Sequence, residues 1–214
     1  MQVQIQKVYD AVLAGDLANI ETEVDSALRS GLSAEIILNQ GLITAMDEVG
    51  RRYEVGKYFV PEMLISARAM KAGLGFLNPF LVESGVEPVA KVAIGTVKGD
   101  LHDIGKNLIA IMLEGAGFET KDLGVDVPIE KFVDAAERGA DILGLSALLT
   151  TTMPQMPLVI EALQDAGCRD KVKVIIGGAP VTQAYADQIG ADGFAADASS
   201  VAPMARLLIP EKVD

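Results

Sequence analysis

Over roughly the first 85 residues, apolar side chains recur every three to four positions, the period of an amphipathic helix. Ile5, Val8, Val12 and Leu13 set one stripe, and Leu17, Ile20, Val24 and Leu28 a second. Asp16 is placed to cap the second helix. Gly31 is placed to end it and Ser33 to cap the next. Leu38, Leu42, Met46, Val49 and Tyr53 make a third stripe, broken at Gly56. Pro61 suits the first turn of a fourth helix, whose apolar face is Met63, Ala67, Met70, Leu74 and Leu77. Four amphipathic helices with short connections predict a small antiparallel bundle over residues 1–85.

Two prolines and a glycine between Asn78 and Pro88 mark a linker. Beyond it the period changes. Val89–Val97, Asp141–Leu148, Val172–Gly178 and Asp192–Asp197 read as strands, and Phe118–Gly124 as a weaker one. Helical patterns near 104–116, 129–139, 154–167, 180–190 and 199–209 alternate with them. Five βα units predict a parallel sheet covered by helices. Their short, even spacing suits the flavodoxin-like strand order 2-1-3-4-5. The expected fold is therefore α/β: an N-terminal four-helix bundle (1–85), then a flavodoxin/Rossmann-like, doubly wound, five-stranded domain (89–214). No internal repeat or low-complexity tract interrupts it.

Composition narrows the function classes. The 214 residues carry a formal net charge of −12, and no Lys/Arg run appears, so a nucleic-acid partner is not expected. No apolar run approaches the roughly 18 residues of a membrane span. The N-terminal sequence lacks a basic region followed by a long apolar one, so it does not read as a signal peptide. The single Cys168 cannot form an internal disulfide, which fits a cytoplasmic protein. One His and one Cys argue against a zinc cluster built from the chain alone. A metal would arrive inside a cofactor or rely on carboxylates.

That one histidine, His102, lies in a glycine-flanked loop after the first strand: Gly99-Asp100-Leu101-His102-Asp103-Ile104-Gly105. In an open α/β sheet, ligands bind beyond the carboxyl ends of the strands. Ser146 to Thr152 follow the third strand, Gly177-Gly178 the fourth, and Asp197-Ala198-Ser199-Ser200 the fifth. Small residues let a bulky ligand approach the backbone. Each signal alone has an ordinary explanation. Glycines follow strands in many α/β folds, Ser and Thr cap helices, and Asp103 reads as the N-cap of the helix from Ile104. The pattern Asp100-x-His102-x-x-Gly105 adds a carboxylate within reach of the imidazole. Metal-binding histidines usually pass their second N–H to such a group.

DLHDIG, followed by GLSALLTTTM (Gly144–Met153) and IIGGAP (Ile175–Pro180), resembles the cobalamin-binding module of methionine synthase. The whole chain, helical part included, resembles the corrinoid proteins of anaerobic methyltransferase systems that demethylate methylamines, methanol, methoxylated aromatics or betaines. The resemblance implies a cytoplasmic carrier subunit of one-carbon metabolism, in methanogenesis or acetogenesis, rather than a complete enzyme. Its cofactor would be cobalamin or a related corrinoid, in the methylcobalamin form. Co(I) would accept a methyl group from a substrate-specific methyltransferase. Methyl-Co(III) would pass it to a second methyltransferase acting on a thiol or tetrahydrofolate. A reductive activase would rescue Co(II).

Residue by residue, the resemblance makes His102 the lower axial ligand of cobalt, in place of the cofactor's own base. Asp100 would bond its other nitrogen, and Thr152 stands where methionine synthase has the serine that completes the relay. Ser146 and Thr150 match contacts to the corrin and its nucleotide tail, with Asp103, Gly105 and Leu148 beside them. Gly177 and Gly178 would line the slot for the displaced tail, with Ala198 a backbone contact nearby. The segment Gly56–Met63 resembles the family's cap sequence, so Phe59, Met63 and, on the preceding helix, Met46 would cover the methyl face. The alternatives are an adenosylcobalamin mutase subunit, which does not usually carry this bundle, and a cobalamin-dependent regulatory module, which needs a DNA-binding segment.

Overall fold

The computed structural model describes residues 2–209. The chain forms two compact units, one comprising residues up to 88 together with 114–117, the other residues 89–113 and 118 onward.

The first unit is helical. Helix α1 (Val3–Ala14) buries Ile5, Val8, Ala11 and Val12. Helix α2 (Ile20–Arg29) begins later than the apolar stripe predicts. Asp16 instead folds the preceding turn, its carboxylate accepting from the Asn19 N–H (3.2 Å) and side-chain amide (2.8 Å), and Leu17 is left exposed. Ser33 caps as expected, its hydroxyl accepting the Ile36 N–H at 3.3 Å. The third helix is continuous but changes pitch: α3 (Ala34–Ile36), a π-helical segment (Ile37–Ile43) and α4 (Thr44–Glu54). A Cβ on Gly41, within the π segment, would lie 3.0 Å from Val8 Cγ1, so α1 packs directly on that backbone.

Helix α5 (Val60–Glu83) opens with Glu62 accepting the Phe59 N–H at 2.9 Å and Pro61 in its first turn. It runs straight through Pro79, which corrects the expected linker: only Ser84–Pro88 remain outside the helix. An interior proline costs about 3 kcal/mol. Leu77 and Leu81, four residues apart on one face and both buried, offset it with about 1.5–3 kcal/mol each.

The second unit is a five-stranded, all-parallel sheet in the order β2-β1-β3-β4-β5. Its strands are β1 (Lys91–Val97), β2 (Glu119–Val127), β3 (Ile142–Ser146), β4 (Lys173–Gly177) and β5 (Gly193–Ala195). The helices are α6 (Ile104–Gly115), α7 (Ile129–Glu137), α8 (Gln155–Asp165), α9 (Gln183–Ile189) and α10 (Val201–Leu208). Strands β1, β3 and β4 are nearly continuous apolar runs because both faces are covered. On one face Ala93, Leu143 and Val174 join Phe132 of α7, Met156 of α8 and Ala186 of α9 in the core. On the other, Val92, Ile94, Ile142 and Ile175 meet Ile109 and Leu113 of α6 and Val201 of α10.

Among the described residues, no helix is long and apolar enough to cross a membrane.

Candidate functional site

Chain order changes direction between β1 and β3, whose carboxyl ends lie side by side with Thr96 paired to Ser146. The loops that leave them diverge and open a crevice. The β1 loop supplies Asp100 and His102, and the β3 loop supplies Leu148, Leu149 and Thr152.

Asp100 joins the two loops. It is fully buried. Its Oδ1 accepts from the His102 N–H at 3.1 Å and lies 2.8 Å from His102 Nδ1. Its Oδ2 accepts from the Leu148 N–H at 2.8 Å, the Leu149 N–H at 3.3 Å and the Thr152 hydroxyl at 2.7 Å. Burial pushes the carboxyl pKa up, but the bonds from Thr152, His102 and Leu148 outweigh it and hold the group well below the usual carboxylate range. An ionised carboxylate can only accept, so Nδ1 of the imidazole carries the proton, and in the neutral ring the lone pair is on Nε2. The His102 side chain is 52% exposed, so the ring is accessible from solvent. Asp100 thus fixes both the tautomer and the ring orientation that a metal-binding imidazole requires.

Below the loops lies a narrow apolar pocket, whose empty space together with the open solvent at its mouth is about 350 Å³. Its origin is a row of small residues. Ser146, Gly177 and Ala195 are paired across β3, β4 and β5, and Gly144 lies two residues before Ser146 on the same face. Ile109, Leu113 and Val201 close the opposite side. A corrinoid needs an axial nitrogen, room above the loop for a planar macrocycle and a slot for its tail. His102 offers the nitrogen. A Cβ built on Gly105 would meet nothing, and Leu101 (71% exposed) and Ile104 (76% exposed) present apolar surface beside it. The residues present fit the group. Among the described residues, no cluster of three or more His, Cys, Asp or Glu could hold a bare metal ion.

The other expected site residues fall in distinct places. Asp103 stands at the N-cap position of α6, its carbonyl accepting the Asn107 N–H at 2.8 Å and its carboxylate the Asn107 amide at 3.1 Å. Thr150 is exposed on the β3 loop and Ala198 is buried before α10. Gly178 is not among the residues that line the cavity. It has φ +130°, and a Cβ there would overlap the Ala147 carbonyl, so this glycine lets the β3 and β4 loops touch. In the helical unit Met46 and Met63 are buried and Phe59 is exposed.

Three groups that the sequence reading passes over also hold the loop. Buried Thr96 donates its hydroxyl to the His102 carbonyl at 2.9 Å. Asp126 of β2 accepts the Gly99 N–H at 2.7 Å. Lys106, at the start of α6, is buried and paired with Asp122 at 2.7 Å. A hydroxyl inside the otherwise apolar AIGTV was a readable signal for Thr96. Nothing comparable marks the other two.

A doubly wound sheet with a carboxylate-oriented imidazole above an apolar slot defines a corrinoid-binding module. Residues 90–203 match the B12 binding domain family, and residues 4–78 match a second family of the same description. The chain is 43% identical over 207 residues to the dimethylamine corrinoid protein of Methanosarcina barkeri, covering 96% of this chain and 97% of that one. It is 39% identical over 209 residues to a corrinoid protein of Desulfitobacterium hafniense, covering 96% and 97%. Among solved structures it resembles a cobalamin-binding protein from Desulfitobacterium hafniense, with TM-score 0.79, 32% identity and 96% and 98% coverage. It also resembles a chain of the methanol:cobalamin methyltransferase complex of Methanosarcina barkeri, with TM-score 0.86, 28% identity and 100% and 82% coverage. This chain belongs to the corrinoid proteins of methyltransferase systems, with B12-binding domains.

Proposed function

We propose that this protein is a methyl carrier serving two partner methyltransferases, with a reductive activase restoring the cofactor after oxidation. The observation that carries the reading is the buried Asp100 oriented on His102 Nδ1 at 2.8 Å, beside the apolar cavity. When bound, the corrinoid supplies a cobalt centre that carries the methyl group. The chain's residues do the rest. His102 Nε2 would hold the cobalt. Asp100 holds the Nδ1 proton, and Thr152 tunes how strongly it does so, because ligand affinity and protonation are linked. Ser146, Leu148 and Thr150 would contact the macrocycle and tail, Gly177 would line the slot, Gly178 would keep the β3 and β4 loops together beside it, and Ala198 would lie near the tail. Exposed Phe59, with Met63 and Met46 buried in the helical unit, would belong to the segment that protects the methyl group.

The likeness to dimethylamine corrinoid proteins makes a methylamine the first donor class to test. The apoprotein, loaded with cobalamin and reduced, is incubated with a dimethylamine-specific methyltransferase and its substrate. The expected result is one corrinoid per chain and a visible spectrum that turns over to the methylated form. Failure to retain stoichiometric corrinoid would contradict the carrier reading. Retention with methylation only from methanol or a methoxyarene would reassign the donor.

A further inference from the structure

Strand β2 is the polar edge of the sheet, and its pairing with β1 slips twice, between Ile94 and Gly95 and again between Gly95 and Val97. Such irregularities re-aim side chains and are common beside functional sites. Here they accompany two carboxylates that reach the His102 loop from opposite ends. At its start, the Asp126 carboxylate accepts the Gly99 N–H at 2.7 Å while the Asp126 N–H donates to the Asp100 carbonyl at 2.9 Å. Asp126 reaches this reciprocal pairing with φ +51°, alone among the described non-glycine residues in having a positive φ. Asp and Asn tolerate that region better than other side chains.

At the far end, Lys106 is four residues past His102, in the first turn of α6. Its buried ammonium donates to both Asp122 oxygens at 2.7 Å and to Asn107 Oδ1 at 2.6 Å. The Gly124 N–H steadies Asp122 Oδ1 at 2.8 Å. Asp122 is half-exposed but the ammonium is buried, and a buried ammonium must keep its partner, so this pair ties the first turn of α6 to β2.

We propose that β2 is a brace for the ligand loop, with Asp126 and the Asp122–Lys106 pair as positioning residues that keep the His102 imidazole aimed for coordination. The proposal rests on the reading of His102 as the axial ligand. Neither pair touches the imidazole. Each instead removes freedom from the backbone that carries Asp100 and His102, and a ligand already ordered binds with less entropic cost.

The test compares Asp126→Asn, which keeps an acceptor and tolerates the backbone, with Asp126→Gly, which keeps the backbone and loses the acceptor. Asp122→Ala reads the other end. Full-length proteins are loaded with cobalamin and reduced to Co(II). Nitrogen superhyperfine splitting in the electron paramagnetic resonance spectrum is measured alongside cobalamin Kd and the urea midpoint of the apoprotein. Asp126→Gly is expected to lose much of the nitrogen-coupled signal and to bind cobalamin about 10-fold more weakly. Asp126→Asn should stay near the parent. A fully coupled Asp126→Gly spectrum with Kd within about twofold overturns the brace, as does a lowered urea midpoint with coordination unchanged. Should Asp126→Gly fail to fold, an unaltered spectrum in Asp122→Ala overturns it instead. A parent protein lacking nitrogen coupling overturns the His102 reading itself, and the brace with it.

Discussion

Asp100 is the residue on which the site's geometry turns. A buried carboxylate with five donors around it stays ionised, and that charge determines which imidazole nitrogen keeps a lone pair. Thr152 is its one hydroxyl donor, and the same hydroxyl lies 2.9 Å from the Leu149 carbonyl. A hydroxyl has a single proton, and the charged acceptor draws it more strongly than a carbonyl does. Thr152→Ala removes this bond inside a buried site, so it is expected to cost about 1.5–3 kcal/mol of stability. Thr152→Ser keeps the hydroxyl and should cost less than 1 kcal/mol, roughly the loss of one methyl group. Urea unfolding of the two apoproteins checks both values, and equal costs would mean that the methyl group, rather than the hydroxyl, is what the site uses.

Among the elements, α4 supplies a pH-dependent contribution. Arg51 and Arg52 both hydrogen-bond Glu48, at 2.6 Å and 2.8 Å, and lower its pKa from 4.5 to about 2. A carboxyl whose folded pKa lies below its unfolded value stabilises the fold above the unfolded value. That contribution is lost as pH falls through the folded one. The affected window is therefore pH 4.5 down to about 2. The amplitude is small because the partners are solvent-accessible and screened. Glu48→Gln should be slightly less stable at neutral pH, and the gap from the parent should narrow as pH falls through the window. Urea midpoints at pH 7, 4 and 2.5 measure this, and a gap that widens in acid would contradict it.

Elements differ in how well the sequence announces them, for physical reasons. Buried strands β1, β3 and β4 are apolar runs and read directly. Strand β2, mostly solvent-facing, reads weakly and extends three residues beyond its expected end at Gly124. Pro79 signals a linker, yet burial of Leu77 and Leu81 keeps α5 helical past it. The π-helical pitch of Ile37–Ile43 leaves the spacing of Leu38, Leu42 and Met46 looking like an ordinary helix. In the site, Asp100, His102 and Thr152 are recognisable through spacing and resemblance, and the structure brings all three together. Asp126 and Lys106 are unremarkable in sequence, because their reach depends on how β2 slips against β1.

At the scale of the whole molecule, a helical unit and a doubly wound unit each match a B12 binding domain family, in residues 4–78 and 90–203. The proposed methyl-carrier function requires one bond, between His102 Nε2 and the cobalt of a bound corrinoid. The decisive measurement is the electron paramagnetic resonance spectrum of the Co(II) form of the full-length protein. It is recorded once from unlabelled protein and once from protein grown on nitrogen-15 histidine. The chain contains a single histidine, so any change on labelling reports on His102 alone. The account predicts a three-line nitrogen splitting that becomes two lines in the labelled protein, because the coordinating nucleus changes from spin 1 to spin one-half. A splitting that stays threefold after labelling would place another nitrogen on cobalt and contradict the assignment of His102 as the axial ligand.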